Sequence, residues 1–220
     1  MYIPSSFQET RLEVIHDLIR AHPLGLLVTG GAAGLAATQV PFLVYPGEGD
    51  LGTLRAHVAR ANPHWRELAG GAECLVVFQG EQGYVSPSWY PGKAVHHQVV
   101  PTWNYATVHA WGRPSMAEEP GWLHRQLEDL TRSQERRRAR PWAVGDAPAD
   151  FMARQMEAIV GIEIPIARIE GKWKMSQNRE EADRAGVIAG LTDPDDAHRN
   201  PSLAKQVVDR NRPAHPEDPA

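Results

Sequence analysis

The chain has 220 residues, 42% of them hydrophobic, and a formal net charge of −4. That size supports one full hydrophobic core with appendages, and the mildly acidic balance offers nucleic acid no bulk attraction. No apolar run approaches the ~20 residues of a membrane span, and a single cysteine, Cys74, excludes an intrachain disulfide framework.

Residues 8–21 predict a helix, with Leu12, Ile15, Leu18 and Ile19 on one face and Pro23 beyond the last turn. The N-terminus lacks a basic stretch followed by an apolar one, so no signal peptide is read and a reducing cytoplasm is expected. Three apolar runs follow, "LGLLVTG", "GLAATQVPFLVY" and "LGTLRAHV", broken by "GGAAG" and "PGEGDLG". Breaks this short predict antiparallel strands, because a parallel crossover needs roughly a dozen residues or more. "VTGGAAGLAA" lacks the Gly-Lys-Ser/Thr ending of a phosphate loop and reads as a hairpin turn.

"ANPHWRELA" opens a short helix, with Asn62 as N-cap and Pro63 at the first helical position. "ECLVVFQG" and "GYVSPS" read as a hairpin, and "TWNYATVHAWG" as one long strand. Helices are expected over residues 118–134 and 147–159. "GIEIPIARIEG" alternates Ile162, Ile164 and Ile166 as a strand, with Pro165 pushing it toward an edge or a bulge. A last helix runs from Arg179 to about Leu191. Residues 1–191 are therefore expected to form one domain, mainly β (α+β), a small antiparallel barrel with helices outside. Residues 192–220, rich in proline and mixed charge, read as a disordered or loosely attached tail.

Four constellations carry candidate binding chemistry. His57, Arg60 and Asn62 sit where a strand gives way to a helix start, a setting that suits a phosphate. "SPSWYPGK" offers Ser86, Trp89, Tyr90 and Lys93 in an irregular loop. In "PTWNY", Thr102 and Asn104 point one way along the strand, and Trp103 and Tyr105 point the other, read as core. In "KWKMSQNR", Lys172, Lys174 and Ser176 alternate against Trp173 and Met175, and Gln177 and Arg179 add donors at the strand's end. Each has a plain alternative: a solvated arginine, an anchored loop, a packed core, or an edge strand guarded by lysines.

Other chemistries have less to stand on. The adjacent His96 and His97 would face opposite ways on a strand, and no Cys/His ligand spacing appears, so no metal site is expected. Cys74 lies in an apolar run, where burial raises a thiol's pKa and makes a poor nucleophile. The basic run "RSQERRRAR" at 132–140 keeps DNA as a possible partner, without a recognisable reading helix around it.

Taken together, "MYIP", "LGTLRAHVARANPHW", "YVSPSWYPGK", "VPTWNYATVHAWG" and "KMSQNR" closely resemble the PaiB-type family, the FMN-binding negative transcriptional regulators. The resemblance covers residues 1–191. It implies the FMN-binding split β-barrel, a six-stranded antiparallel Greek-key barrel with flanking helices, working as a cytoplasmic homodimer with FMN between subunits. It implies phosphate contacts at His57, Arg60 and Asn62, and further flavin contacts at Ser86, Trp89, Tyr90, Lys93, Thr102, Trp103 and Asn104. Lys174, Gln177 and Arg179 join them from the last motif. Where many relatives have an Asn-His pair, this chain has Thr38-Gln39. Thr38 stays a candidate flavin contact, but an imidazole role there is lost.

The flavin would carry the redox chemistry, so no catalytic residue is named. Two other functions remain open on the same reading. One is a flavin-dependent oxidoreductase of the pyridoxamine-phosphate-oxidase-like group, acting on a small metabolite. The other is a haem-binding split-barrel relative using His57, His97 or His109.

Overall fold

The computed structural model describes residues 1–31 and 34–212. Alternating burial builds the sheet from the sequence upward. In β2 (Leu24–Gly31), Gly25, Leu27 and Thr29 are buried while Leu24, Leu26 and Val28 are not. That two-residue period fixes which face meets the core and therefore fixes register. β2 follows α1 (Leu12–Ala21) and pairs antiparallel with β3 (Gly34–Pro41), Leu24 opposite Pro41 and Gly31 opposite Gly34. The hairpin read from "GGAAG" is there, although residues 32 and 33 of its turn lie outside the described residues.

The remaining strands are β1 (Gln8–Glu9), β4 (Leu43–Tyr45), β5 (Thr53–Ala59), β6 (Cys74–Val85), β7 (Thr102–Gly112), β8 (Ser115–Ala117) and β9 (Ile159–Lys174). Helices α2 (His64–Leu68), α3 (Gly92–His96), α4 (Pro120–Glu135), α5 (Ala149–Glu157), α6 (Glu181–Thr192) and α7 (Pro201–Arg210) complete the chain. Among the described residues the strand order is β3-β2-β6-β7-β9-β5-β4, with β1 and β8 also pairing β9. Six of these strands have seven residues or more, and the other three are short additions. The joins of β2 to β6 and of β5 to β9 cross over chain neighbours, as a Greek key requires.

Several elements differ from expectation. Residues 74–85 form one continuous strand and not a hairpin, because "QGEQG" keeps extended backbone through its glycines. β9 runs on past Gly171 to take in Lys172, Trp173 and Lys174. Pro165 is tolerated there opposite Thr53, while the next amide, Ile166 N–H, donates to the Gly52 carbonyl at 3.0 Å. Among the described residues, no helix is long and apolar enough to cross a membrane.

The packing divides the chain into two compact units, each described by itself. The larger is Arg11–Phe78 with Val108–Glu170. Its core gathers Ile15, Ile19, Leu27, Phe42, Leu54, Val76, Phe78, Ile162 and Ile164. Phe42 meets Phe78 edge-on, with ring centroids 5.8 Å apart. Helix α4 lies close because Gly161 has no side chain: a Cβ there would stand 2.2 Å from the Trp122 ring.

The other unit is Met1–Thr10 and Gln79–Thr107 with the chain from Gly171 onward. Residues 201–210, read from the sequence as part of a loose tail, form α7, which buries Leu203, Ala204 and Val207. The sequence reading weighed proline and charge, but these three apolar residues share one helical face and were enough to dock it. Arg210 pairs with Glu9, a buried carboxylate on β1, and stacks over Trp173 at 4.4 Å. Replacing Leu203 by alanine is expected to lower the urea midpoint without changing its slope, a loss of about 2–5 kcal/mol. An unchanged midpoint would mean that α7 contributes nothing to the fold.

Candidate functional site

The candidate residues fall into two clusters, one in each unit. In the larger unit, each of the four makes an internal hydrogen bond. Arg60 donates through Nε to the Glu157 carbonyl at 2.9 Å and through Nη2 to the Ile159 carbonyl at 3.1 Å. Its Nη1 reaches the Glu118 carboxylate at 2.5 Å. Asn62 Oδ1 accepts at 3.0 Å from the N–H of His64, the first residue of α2, although Pro63, and not Asn62 as expected, takes the N-cap position. His57 Nδ1 meets Gln126 Oε1 at 2.8 Å. Thr38 Oγ1 meets His64 Nδ1 at 2.8 Å, and the other ring nitrogen of His64 meets Thr29 Oγ1 at 2.7 Å.

A phosphate seat at Arg60 therefore has little to offer. Its guanidinium serves as a clasp between the end of β5 and the start of β9. The adjoining cavity, about 350 Å³, is lined by Arg60 together with Glu118 and Glu157, whose carboxylates oppose an anion. Cys74 is equally committed: it is buried, its Sγ lies 3.4 Å from the Gly112 carbonyl, and burial pushes the thiol up to about 11. Of the basic run at 132–140, Arg132 and Arg138 pair with Asp129 and Glu135 on α4.

The smaller unit holds the other ten. Four of them build structure. Ser86 accepts from Ser88 N–H at 3.1 Å and caps a 3-10 turn at Pro87–Trp89. Trp89 donates its Nε1–H to Asp196 at 2.8 Å. Its ring lies so close to α6 that a Cβ on Gly190 would come within 2.4 Å of it. Gln177 bridges its own turn, accepting from Met175 N–H and donating to the Trp173 carbonyl, both at 2.6 Å. That turn needs Ser176 at φ 62°, a left-handed value, and buried Asn104 holds Ser176 through a 2.9 Å bond from Nδ2 to Oγ.

The strand faces of "PTWNY" are the reverse of the expected ones. Asn104 is the buried residue, and Trp103 is 54% exposed. The residues left with free faces or donors are Tyr90, Lys93, Trp103, Lys174 and Arg179. Lys174 donates to Thr102 Oγ1 and, at 2.6 Å, to the Trp103 carbonyl, which leaves one N–H unspent. Burial first, then the neighbouring charges of Lys172 and Arg179, holds its ammonium below the ordinary lysine range. Arg179 stands over the Tyr90 ring at 4.9 Å from its centroid. The Arg179 guanidinium bears on the buried Tyr90 hydroxyl as a donor, while the phenol's own proton meets no acceptor among the described residues.

Sequence reasoning missed two members of this surface, Tyr84 and His198, and placed Lys172 in the last constellation without making it a flavin contact. Tyr84 lies edge-on to Trp103 at 6.2 Å, and His198 tilts over Tyr84 at 4.7 Å. Nothing local to His198 signals this, since it comes from beyond the expected domain end. Lys172 is legible as the same-face neighbour of Lys174, and it lies over the Tyr105 ring at 5.1 Å. It is 7% exposed, so β9 here is no solvated edge.

Because Arg60 binds backbone carbonyls from residues 157 and 159, Arg60→Ala is expected to cost about 1–3 kcal/mol of stability while leaving flavin affinity unchanged. Calorimetry beside a flavin titration checks both halves, and a stable variant with lost flavin affinity would contradict this assignment.

Residues 1–168 match the family described as "Putative FMN-binding domain". Protease synthase and sporulation protein PAI 2 of Bacillus subtilis is 33% identical over 209 residues, covering 95% of each chain. An uncharacterized protein of Emericella nidulans is 35% identical over 226 residues, covering 87% of this chain and 90% of its own. Among solved structures, conserved hypothetical protein Rv2991 from Mycobacterium tuberculosis aligns with a TM-score of 0.57 at 14% identity. That alignment covers 82% of this chain and 95% of the other. The FAD and heme binding protein of Mycobacterium smegmatis aligns with a TM-score of 0.54 at 19% identity, covering 76% and 73%. The fold is α+β, an antiparallel sheet of the FMN-binding split-barrel kind. With three quarters of its length matched and a bacterial relative aligned nearly end to end, the chain belongs to the FMN-binding-domain family that includes PAI 2.

Proposed function

We propose that this protein binds FMN, acts as a cytoplasmic homodimer and serves as a negative transcriptional regulator. The observation that carries the flavin reading is the open aromatic and cationic surface of the smaller unit. There an exposed Trp103 ring, an unspent Lys174 donor and a Tyr90 hydroxyl whose proton meets no acceptor among the described residues lie on neighbouring elements. A flavin mononucleotide needs these three things: a ring wall, polar contacts for its edge and positive charge for its phosphate. Trp103 and Tyr84 would supply the wall, Lys93 a polar contact for the edge, and Lys174 and Arg179, with the Tyr90 hydroxyl beside them, the phosphate contacts. When bound, FMN supplies electron and hydride transfer, which the protein tunes through its neighbouring charges.

The dimer reading has its own support in the larger unit. Leu24, Leu26 and Val28 on β2 share a face with Leu35, Ala37, Gln39 and Pro41 on β3 and with Leu75 and Val77 on β6. Each of these residues is half-buried or exposed, and none is charged. A second copy offers the same face across a two-fold axis, the simplest way to cover it. The regulatory reading leans on the relative named for protease synthesis and sporulation. It requires no DNA-reading helix if the flavin state is passed to a partner.

Purified protein is expected to absorb in the flavin bands, or to acquire them with added FMN, and to elute at twice the chain mass. Leu26→Glu on the uncharged face is expected to give a monomer. Colourless protein that ignores FMN would remove the flavin reading, and a wild-type monomer would remove the dimer.

A further inference from the structure

Three neighbouring cations in the smaller unit, Lys172, Lys174 and Arg179, lack a counter-charge among the described residues. Lys172 and Lys174 lie two residues apart on the same face of β9, with Trp173 and Met175 buried on the other. Arg179 follows after the turn held by Gln177. None of the three pairs with a carboxylate among the described residues. Lys172 donates only to the Tyr2 carbonyl, at 3.1 Å, and otherwise rests against the rings of Tyr2 and Tyr105. Asp183, an acid that bears on Tyr90, already accepts from Gly92 N–H at 3.1 Å.

Burying a cation without a counter-charge is costly, and like charges side by side add to the cost. Several other cations held in place in this chain are matched to acids, Arg55 with Glu163, Arg60 with Glu118 and Arg210 with Glu9, while Arg113 and Arg184 rest singly on backbone carbonyls. Lys172, Lys174 and Arg179 differ in being grouped, beside a buried phenol whose own proton meets no acceptor among the described residues. We propose that Lys172, Lys174 and Arg179, with the Tyr90 hydroxyl as a fourth donor, form a seat for a phosphate monoester. In the flavin reading above, on which this identification of the ligand rests, the monoester is the phosphate tail of FMN. It is seated at the end of β9 and not at the Arg60 helix start. The three cations then set the preference for FMN over riboflavin, which has the same ring and no phosphate.

The test has two arms on the full chain, with folding of each variant checked by its thermal transition. The first needs no flavin: ³¹P line broadening of inorganic phosphate titrated with protein. Broadening that saturates and is lost in Lys174→Gln supports the seat, whereas no broadening, or equal broadening in the variant, overturns it. The second compares flavin affinities by fluorescence quenching. Wild-type protein is expected to bind FMN at least ~10-fold more tightly than riboflavin, the scale of one charge-assisted contact. Lys174→Gln and Arg179→Gln should abolish that preference while leaving riboflavin binding unchanged, and Lys174→Arg should retain most of it. Equal binding of both flavins by wild type, or a preference lost in Arg60→Ala and kept in Lys174→Gln, overturns the assignment. Failure of either flavin to bind, with phosphate still bound at Lys174, removes the flavin reading and leaves the anion seat standing. Should a variant fail to fold, competition of inorganic phosphate with FMN but not with riboflavin on the wild-type chain decides the same question.

Discussion

A sixteen-residue strand, Ile159–Lys174, has to satisfy its backbone on both sides while changing what its side chains face. At its start, Val160, Ile162 and Ile164 enter a hydrophobic core and pair with β5. At its end, Lys172 and Lys174 take the positions that isoleucines held earlier in the alternation. Hydrogen bonding to β1 at Gln8 and Glu9 keeps the strand extended there, so the lysines cannot swing away to water as they would on a frayed edge. The ladder thus fixes cations on a surface where burial makes them expensive.

The surroundings of that strand end are built to hold still. Gln177 and Ser176 close the turn, Asn104 pins Ser176, and Asn211 reaches the Met175 carbonyl from the end of α7. Trp89 is pressed against glycines of α6 and tied to Asp196. These contacts spend polar groups on rigidity, and rigidity is what lets three unpaired cations stay close instead of separating. The groups left over are the ones with ligand chemistry in them.

Much of the framework was legible in the sequence because it rests on local pattern. The periodicity of "TWNYATVHAWG" and of Ile162, Ile164 and Ile166 gave β7 and β9, and Asn62 with Pro63 gave the start of α2. What was not legible depends on partners far along the chain. Arg60 looked free beside a helix start, yet it is held by carbonyls of Glu157 and Ile159. Trp103 looked like core because strand period sets alternation but not which face is inside. The α7 helix was obscured by its flanking prolines and charges, although Leu203 and Val207 carried the signal.

The position of a bound phosphorus atom tests the central claim most directly, and a crystal structure of the protein with FMN would give it. The phosphate is expected within about 3 Å of Lys174 Nζ and of the Arg179 guanidinium, with the Arg60 bonds to Glu157 and Ile159 intact. A phosphate found at Arg60 instead, with those carbonyl bonds broken and Lys172, Lys174 and Arg179 bare, would contradict the account.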